Sequence, residues 1–540
     1  MPQLLLGPLL RHVDTRSATV WVETDAPCTV EVAGASAHTF TVAGHHYALV
    51  VITGLEPGTS TPYEVLLDGE RVWPLPDFPP SRIRTFPDSG DPEFLMVFGS
   101  CRMPESHDPA ERRSMGTDAL AAYARRMLDQ DERDWPDSLM LLGDQVYADE
   151  TTKATREWIA KRRGLETPPA AEVADFEEYT RLYHESWSTP LPRWLMSTVP
   201  TSMIFDDHDV RDDWNTSQTW RDEMEQTSWW ADRERGALAT YWIYQHIGNL
   251  SPEDLAEEEI YDKVLVTGRE GDAADVLRDF ADRARNEVNG RKGTRWSYRR
   301  DFGNVRLLVI DTRSGRILSG GARSMVGDGE FEWIEEHADG NYDHLLIGSS
   351  LPWLMPHAIN HLQSMNEVAC RRPGRRGRLA EWLRQTADLE HWPSFRASYD
   401  RLTRLILRIA KGNAATVCVL SGDVHHVYAA RARFPEPVNA AVYQLTCSPV
   451  HNRIELLMRP VFVAAWWRPL AAVLRRWMYR SPQINPLPVE WDKLSGPYFG
   501  NAIATLRTSG RRAEMVVERA DGGADDPHLV PLPTLTLTEG

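Results

Sequence analysis

Gly143-Asp144-Gln145-Val146-Tyr147 and Gly422-Asp423-Val424-His425-His426 each follow a short apolar run of the kind that forms a buried strand. They place carboxylate, phenol and imidazole groups just past a strand end, where open α/β sheets bind ligands. Donors of these types suit metal ions held over an anionic substrate. Two further runs end in the same way: residues 94–98 lead into Gly99-Ser100-Cys101-Arg102, and residues 203–205 into Asp206-Asp207-His208-Asp209. Five carboxylates fall in the eight positions 206–213. Helix capping accounts for one or two of them, and like charges so dense call for a cation. Two cations a few ångströms apart bind a phosphoryl group and acidify a bound water, so the chemistry these residues suggest is metal-dependent hydrolysis of a phosphate ester.

Such side chains meet only if the strands lie side by side. The apolar runs 94–98, 139–142, 203–205, 345–347 and 417–420 alternate with amphipathic helical patterns, which predicts a layered α/β core. Residues 295–312 and 503–519 alternate around Phe302-Gly303-Asn304 and Thr508-Ser509-Gly510, predicting hairpins added to the sheets. Residues 1–88 alternate in shorter runs, such as Ala18-Thr19-Val20-Trp21-Val22, with a hairpin signal at Asp68-Gly69. This predicts a small β-sandwich. Gly54-Leu55-Glu56-Pro57-Gly58-Thr59, followed by Tyr63-Glu64-Val65, resembles the corner before a late strand of fibronectin type III or immunoglobulin-like sandwiches. The Pro-rich stretch 74–87 reads as a linker, giving a sandwich domain over 1–88 and a catalytic domain over 89–540.

The order and spacing of the four strand-end motifs resemble the calcineurin-like metallophosphoesterase superfamily, and within it the PhoD-type alkaline phosphatase/phosphodiesterase family, over about residues 92–515. The resemblance implies a layered β-sandwich flanked by helices. It implies a first metal site of Cys101, Asp144, Tyr147 and His425, where thiolate and phenolate favour Fe(3+), and a second of Asp144, Asp207 and Asp423, whose oxygens favour Ca(2+). Mn(2+) or Zn(2+) in a conventional two-metal centre is the alternative. His208 would stabilise or protonate the leaving oxygen, Asp209 would orient its ring, Arg102 would clamp a phosphate oxygen, and metal-bound hydroxide would attack. Ser350 stands where the superfamily often has His, and Asp212 is a further ligand candidate. Glu390 and His391 lie in a segment resembling the family's Trp-containing stretch near the site, and His426 is read as structural or substrate-facing.

The net charge of −18 argues against binding a nucleic-acid polymer. The expected substrate is a small-molecule or lipid-derived phosphate ester, as monoester or diester, and a non-catalytic metal-stabilised scaffold is the reading from another class. Five widely spaced cysteines without a CxxC pair suggest neither a disulfide framework nor a zinc ribbon. With an N-terminus lacking signal-peptide and twin-arginine features and no window of ~20 apolar residues, a cytoplasmic location is expected. Residues 456–480 are apolar and Trp-rich yet studded with Arg, with Pro460 and Pro469 interrupting any long helix. They predict a lid packed on the domain or, as a second reading, a peripheral membrane contact at which a phospholipase-type phosphodiesterase would work. The basic run 371–378 reads as a solvated loop or a steering patch for anions.

Overall fold

The apolar runs ending in the candidate residues are strands, and every residue of Phe94–Gly99, Ser138–Leu142, Thr201–Ile204, Val305–Ile310, His344–Ser349 and Thr416–Ser421 is buried. The structure is a computed structural model that describes residues 1–90, 93–106, 108–290, 293–319, 323–453 and 458–539. One seven-stranded sheet runs in the order Thr201–Ile204, Ser138–Leu142, Phe94–Gly99, Ala502–Ser509, Arg512–Asp521 and His528–Pro531, with Leu535–Thr538 also paired to Arg512–Asp521. Its first three strands are parallel and the rest antiparallel. The other runs Tyr298–Phe302, Val305–Ile310, His344–Ser349, Thr416–Ser421, Ala441–Thr446, Val427–Arg433 and Glu490–Tyr498, parallel from its second strand to its fifth. The predicted hairpins at Gly303 and Gly510 are present.

Alternate residues of these strands serve two cores, as the period of two in a strand requires. Leu307, Val309, Leu346 and Leu420 share a core with Met140 and Leu142 of the first sheet. Leu308, Ile310, Leu345, Ile347, Val417 and Val419 pack instead with Phe331 and Ile334 of helix Asp328–Ala338 and with Leu402, Leu405 and Ile406 of helix Arg396–Ala410. The i, i+3, i+4 spacing of those last three makes one apolar stripe, each side chain contributing about 1.5–3 kcal/mol by leaving water. The two sheets converge at the carboxyl ends of their parallel strands. A Cβ on Gly422 would lie 2.0 Å from Ser100 Oγ, and one on Gly143, at φ +106°, would lie 2.5 Å from Asp206 Cβ. Glycine before Asp144 and before Asp423 is therefore what lets the loops touch.

The N-terminal strands form two antiparallel four-stranded sheets, Leu4–Val13, Ala18–Thr24, His45–Ile52, Phe40–Val42 and Ala35–His38, Thr29–Val32, Val65–Leu67, Glu70–Trp73. Asp68 and Gly69 both have positive φ, as a two-residue hairpin turn of this kind demands. The expected linker differs: within 74–87, Arg82–Arg84 is a strand paired with Ser60–Pro62, and Arg84 Nη1 donates to Glu132 O at 2.8 Å. Prolines stop the chain from pairing at 74–80 but leave 82–84 free to do so.

Buried polar contacts fasten this β-rich region to the rest. Arg11 Nη2 donates to Gln245 O at 2.6 Å and Asn249 Oδ1 at 3.1 Å. Glu23, fully buried, accepts from Tyr244 Oη at 2.8 Å and pairs with His184 at 2.8 Å and His45 at 3.1 Å, and His45 also meets Glu177 at 2.9 Å. Burial alone would lower the His45 pKa, but Glu23 and then Glu177 raise it to about 9. A folded-state pKa above the unfolded value of about 6.5 means that this stabilisation is full below pH 6.5 and is lost as pH rises towards 9. We expect the thermal midpoint to fall over that window by the equivalent of about 3 kcal/mol at most. The fall should be absent in His45→Gln; an equal fall in the variant would remove His45 from the account. Among the described residues no helix is long and apolar enough to cross a membrane.

Candidate metal centre

Six parallel or near-parallel strand ends contribute to one cluster. Cys101 follows Phe94–Gly99, Asp144 follows Ser138–Leu142, the turn 206–209 follows Thr201–Ile204, Arg313 follows Val305–Ile310, Ser350 follows His344–Ser349, and Asp423 follows Thr416–Ser421. Four of the predicted ligand residues, Cys101, Asp144, Asp423 and His425, have positive φ, at 59°, 52°, 68° and 47°. For an L-residue this conformation costs on the order of 1–2 kcal/mol. Concentration of such backbone at one place marks a site whose side chains are aimed at the expense of local stability.

Cys101 Sγ lies 3.2 Å from Asp144 Oδ2, and Tyr147 Oη lies 3.5 Å from the same oxygen. Asn452 Nδ2 donates to Tyr147 Oη at 2.8 Å and lies 3.5 Å from His425 Nε2, which places His425 on the same cluster. Asp144 Oδ1 is buried and has no hydrogen-bond partner among the described residues. Burial, then Asp144, pushes the Cys101 thiol pKa far up; burial, then Cys101, does the same to the Tyr147 phenol; burial raises Asp144 as well. Three acids that burial and one another's charge keep from ionising become good ligands once a cation supplies the opposing charge. Ligand atoms of Asp144, Asp207 and His208 also lie within 4.8 Å of one another, as do those of Asp206, Asp207 and Asp423.

The second predicted site contains a residue that the sequence reading missed. Arg313, fully buried, pairs with Asp206, with Glu390 at 2.6 Å, with Asp207 at 3.2 Å and with Asp423 at 3.6 Å. The other Asp207 oxygen accepts from Asp213 N at 3.0 Å, and the other Asp423 oxygen meets His391 Nε2 at 2.7 Å. The first cluster thus gathers donors of the types a metal ion takes, an orphaned carboxylate oxygen with a thiol and a phenol beside its partner oxygen. The second offers oxygens that already face a guanidinium. Glu390 is accordingly a counter-charge to Arg313 and Arg316, and His391, held by Gln363 at 2.7 Å, positions Asp423.

Several expected roles are corrected. Arg102 is buried and spends its guanidinium on Asp118 Oδ2, at 2.7 and 3.0 Å, and on Ser186 O at 2.7 Å. It staples the N-cap of helix Ala119–Leu128 to helix Phe176–Trp187 and clamps no phosphate. Asp209 does not orient His208: its carboxylate accepts from the backbone N–H groups of Asp144, Gln145, Val146 and Asp206, at 2.9 to 3.3 Å, and so ties the 144–146 loop to the 206–209 turn. Asp149 does the orienting, 2.9 Å from His208 Nδ1. Against the effect of burial, Asp149 holds the His208 pKa well above its usual value. The His208 side chain is 18 % exposed, its ring centroid is 4.8 Å from that of Tyr147, and Asp212, mostly exposed, lies 4.0 Å from Nε2. Ser350 bonds Thr312 Oγ1 at 2.9 Å. His426 is buried, with Nδ1 2.6 Å from Val424 O, and has a structural place.

Strand-end position was the signal for the missed groups. Arg313 and Asn452 follow strands as Asp144 does, and Asp149 lies two residues after Tyr147. A search for acids and imidazoles passes over the cation of Arg313 and the amide of Asn452, and Asp149 lies past the end of the Gly143–Tyr147 motif.

The family model described as PhoD-like phosphatase matches residues 116–457, and the one described as Domain of unknown function (DUF7800) matches residues 1–85. The solved "Structure of PhoD" aligns over 99 % of this chain and 92 % of its own, with a TM-score of 0.61 and 13 % identity, which shows a shared fold. Purple acid phosphatase PPD1 from yellow lupin (Lupinus luteus) seeds aligns over 98 % of this chain and 74 % of its own, with a TM-score of 0.48 and 11 % identity. No curated protein matches the chain.

Proposed function

The chain belongs to the PhoD-like phosphatase family and is a hydrolase, and from that premise we propose that it cleaves phosphate esters at a cation held by Cys101, Asp144, Tyr147 and His425. The observation that carries this is the buried, unpartnered Asp144 Oδ1, in a carboxylate whose other oxygen lies beside both the Cys101 thiol and the Tyr147 phenol. The donor set favours Fe(3+), with Mn(2+) or Zn(2+) as the alternative; a second cation, Ca(2+) in this proposal, would draw on Asp144 and Asp207 and compete with Arg313 for Asp423. When bound, such cations supply charge neutralisation of the phosphoryl oxygens and a more acidic water.

This chain's residues do the remaining work. Asp209 fixes the backbone of the 144–146 loop against Asp206, so Asp144 cannot swing away from Cys101. Asp149 takes Nδ1 of the partly exposed His208 ring and leaves Nε2 as the donor for the oxygen of the departing alcohol. The chelator-sensitive hydrolysis of p-nitrophenyl phosphate and bis-p-nitrophenyl phosphate by the full chain tests the reading. Turnover of either ester, lost on chelation and regained with metal, supports it. No turnover after replenishment with iron, calcium, manganese and zinc would leave a metal-stabilised scaffold instead.

A further inference from the structure

Helix His357–Cys370 packs against both Arg375–Thr386 and Arg468–Met478, beside the short helix Arg459–Ala465. Leu456 and Leu457, which begin the Trp-rich stretch of the sequence, lie outside the described residues. From 458 on, the segment is neither wholly a lid nor wholly loose. Ala465, Trp466, Ala471 and Met478 are buried against the domain, which leaves the opposite helix face without a cover.

The outward faces of the two helices that flank His357–Cys370 have an unusual composition. On Arg468–Met478, the residues half a turn away from Ala471 and Met478 are Val473, Arg476 and Trp477, with Arg480 just beyond; Val473 is 48 % exposed and Trp477 56 %. On Arg375–Thr386, where Gly377, Ala380 and Arg384 face inward, Leu379 is 65 % and Trp382 60 % exposed. Trp467, at the start of the former helix, is 62 % exposed. Soluble surfaces rarely gather such groups.

Both helices lie in or beside locally positive stretches. Residues 371–378 include five arginines and residues 458–480 five more, with no Asp or Glu in either stretch, in a chain of net charge −18. Arg371, Arg468 and Arg475 are paired with Glu367, Asp492 and Glu490. Arg372, Arg375, Arg376, Arg378, Arg476 and Arg480 make no salt bridge among the described residues, so their charge is available to a partner.

We propose that this helical face docks on an anionic lipid surface. Outward Trp rings about one turn from unpaired Arg heads are the pattern of helices that lie in a bilayer interface, the indole at headgroup depth and the guanidinium reaching lipid phosphate. The rest of the chain is acidic and is repelled by such a surface, so only this face leads. Docking brings the proposed metal loop near the headgroups, because Phe462 of Arg459–Ala465 packs on His426, the neighbour of His425, with ring centroids 4.4 Å apart. The inference is read by binding and stands or falls separately from the hydrolysis proposed above.

The test is co-sedimentation of the full chain with vesicles of phosphatidylcholine alone and of phosphatidylcholine with about one third phosphatidylglycerol. Binding to the anionic vesicles, a blue shift of tryptophan emission and weakening by salt are expected. Trp382→Ala/Trp477→Ala and Arg476→Glu/Arg480→Glu should each bind at least ~10-fold more weakly while unfolding at the parent temperature, since all four residues are at the surface. Absence of binding to the anionic vesicles, or variants that bind as tightly as the parent, would overturn the proposal. So would a dimer in sedimentation velocity that the same variants dissociate without any vesicle binding, since the face would then join two copies of the chain.

Discussion

His208→Ala is expected to lower turnover by about 10²–10⁴-fold while leaving the metal content of the chain unchanged. The reason is geometric. His208 Nδ1 is taken by Asp149, so the ring has a single nitrogen to offer a substrate, and the polar contacts that join Cys101, Asp144, Tyr147 and His425 run through Asp144 and Asn452 rather than through His208. Asp149→Asn should reproduce part of the loss, because the amide neither fixes the same tautomer nor stabilises the charged ring. The loss in both variants should be largest for esters whose leaving alcohol is most basic, where proton donation matters most. Metal and turnover falling together in His208→Ala would show the ring to be a ligand.

Arg313→Met should produce the largest loss of stability of any single change in the site, about 3–5 kcal/mol. Arg313 is fully buried and stands against Asp206, Asp207, Glu390 and Asp423, so its removal leaves several buried carboxylates with one cation fewer. Burial opposes the charged guanidinium, and the four acids more than offset that, holding its pKa well above the usual value. Denaturant unfolding measures the loss directly, and added divalent cation should restore part of it by taking the vacated place among the oxygens. A variant as stable as the parent would mean that those carboxylates are protonated or hydrated and that the guanidinium is incidental.

Much of the site was legible in the sequence because strand ends are. A buried strand has a continuous apolar run, and the residue after it emerges at the sheet's carboxyl edge, so Cys101, Asp144, Asp207 and Asp423 could be placed together before any coordinate. The structure brings them within reach of one another through glycines at 143 and 422 that leave no room for a Cβ. Direction within a loop was not legible. Arg102 follows Cys101 by one residue and turns into the core towards Asp118, while Asp209 follows His208 and turns back onto backbone amides. Neighbours in a turn point different ways, so adjacency in sequence is poor evidence for a shared task. The strand at 82–84 was hidden for a related reason: its partner, Ser60–Pro62, is 20 residues away and its own alternation, Arg82-Ile83-Arg84, is only three residues long. Charge balance was missed because Arg313 reaches the acids from a different strand from any of them.

The central claim is that Cys101 and Tyr147 hold a cation together with Asp144. Its most direct test is metal analysis and visible absorption of the full chain purified without added metal or chelator, beside Cys101→Ser. About one iron per chain is expected in the parent, with a tyrosinate-to-iron charge-transfer band from Tyr147, and a marked loss of both in the variant. Iron content and band unchanged by Cys101→Ser, or a parent without stoichiometric metal of any kind, would contradict the account.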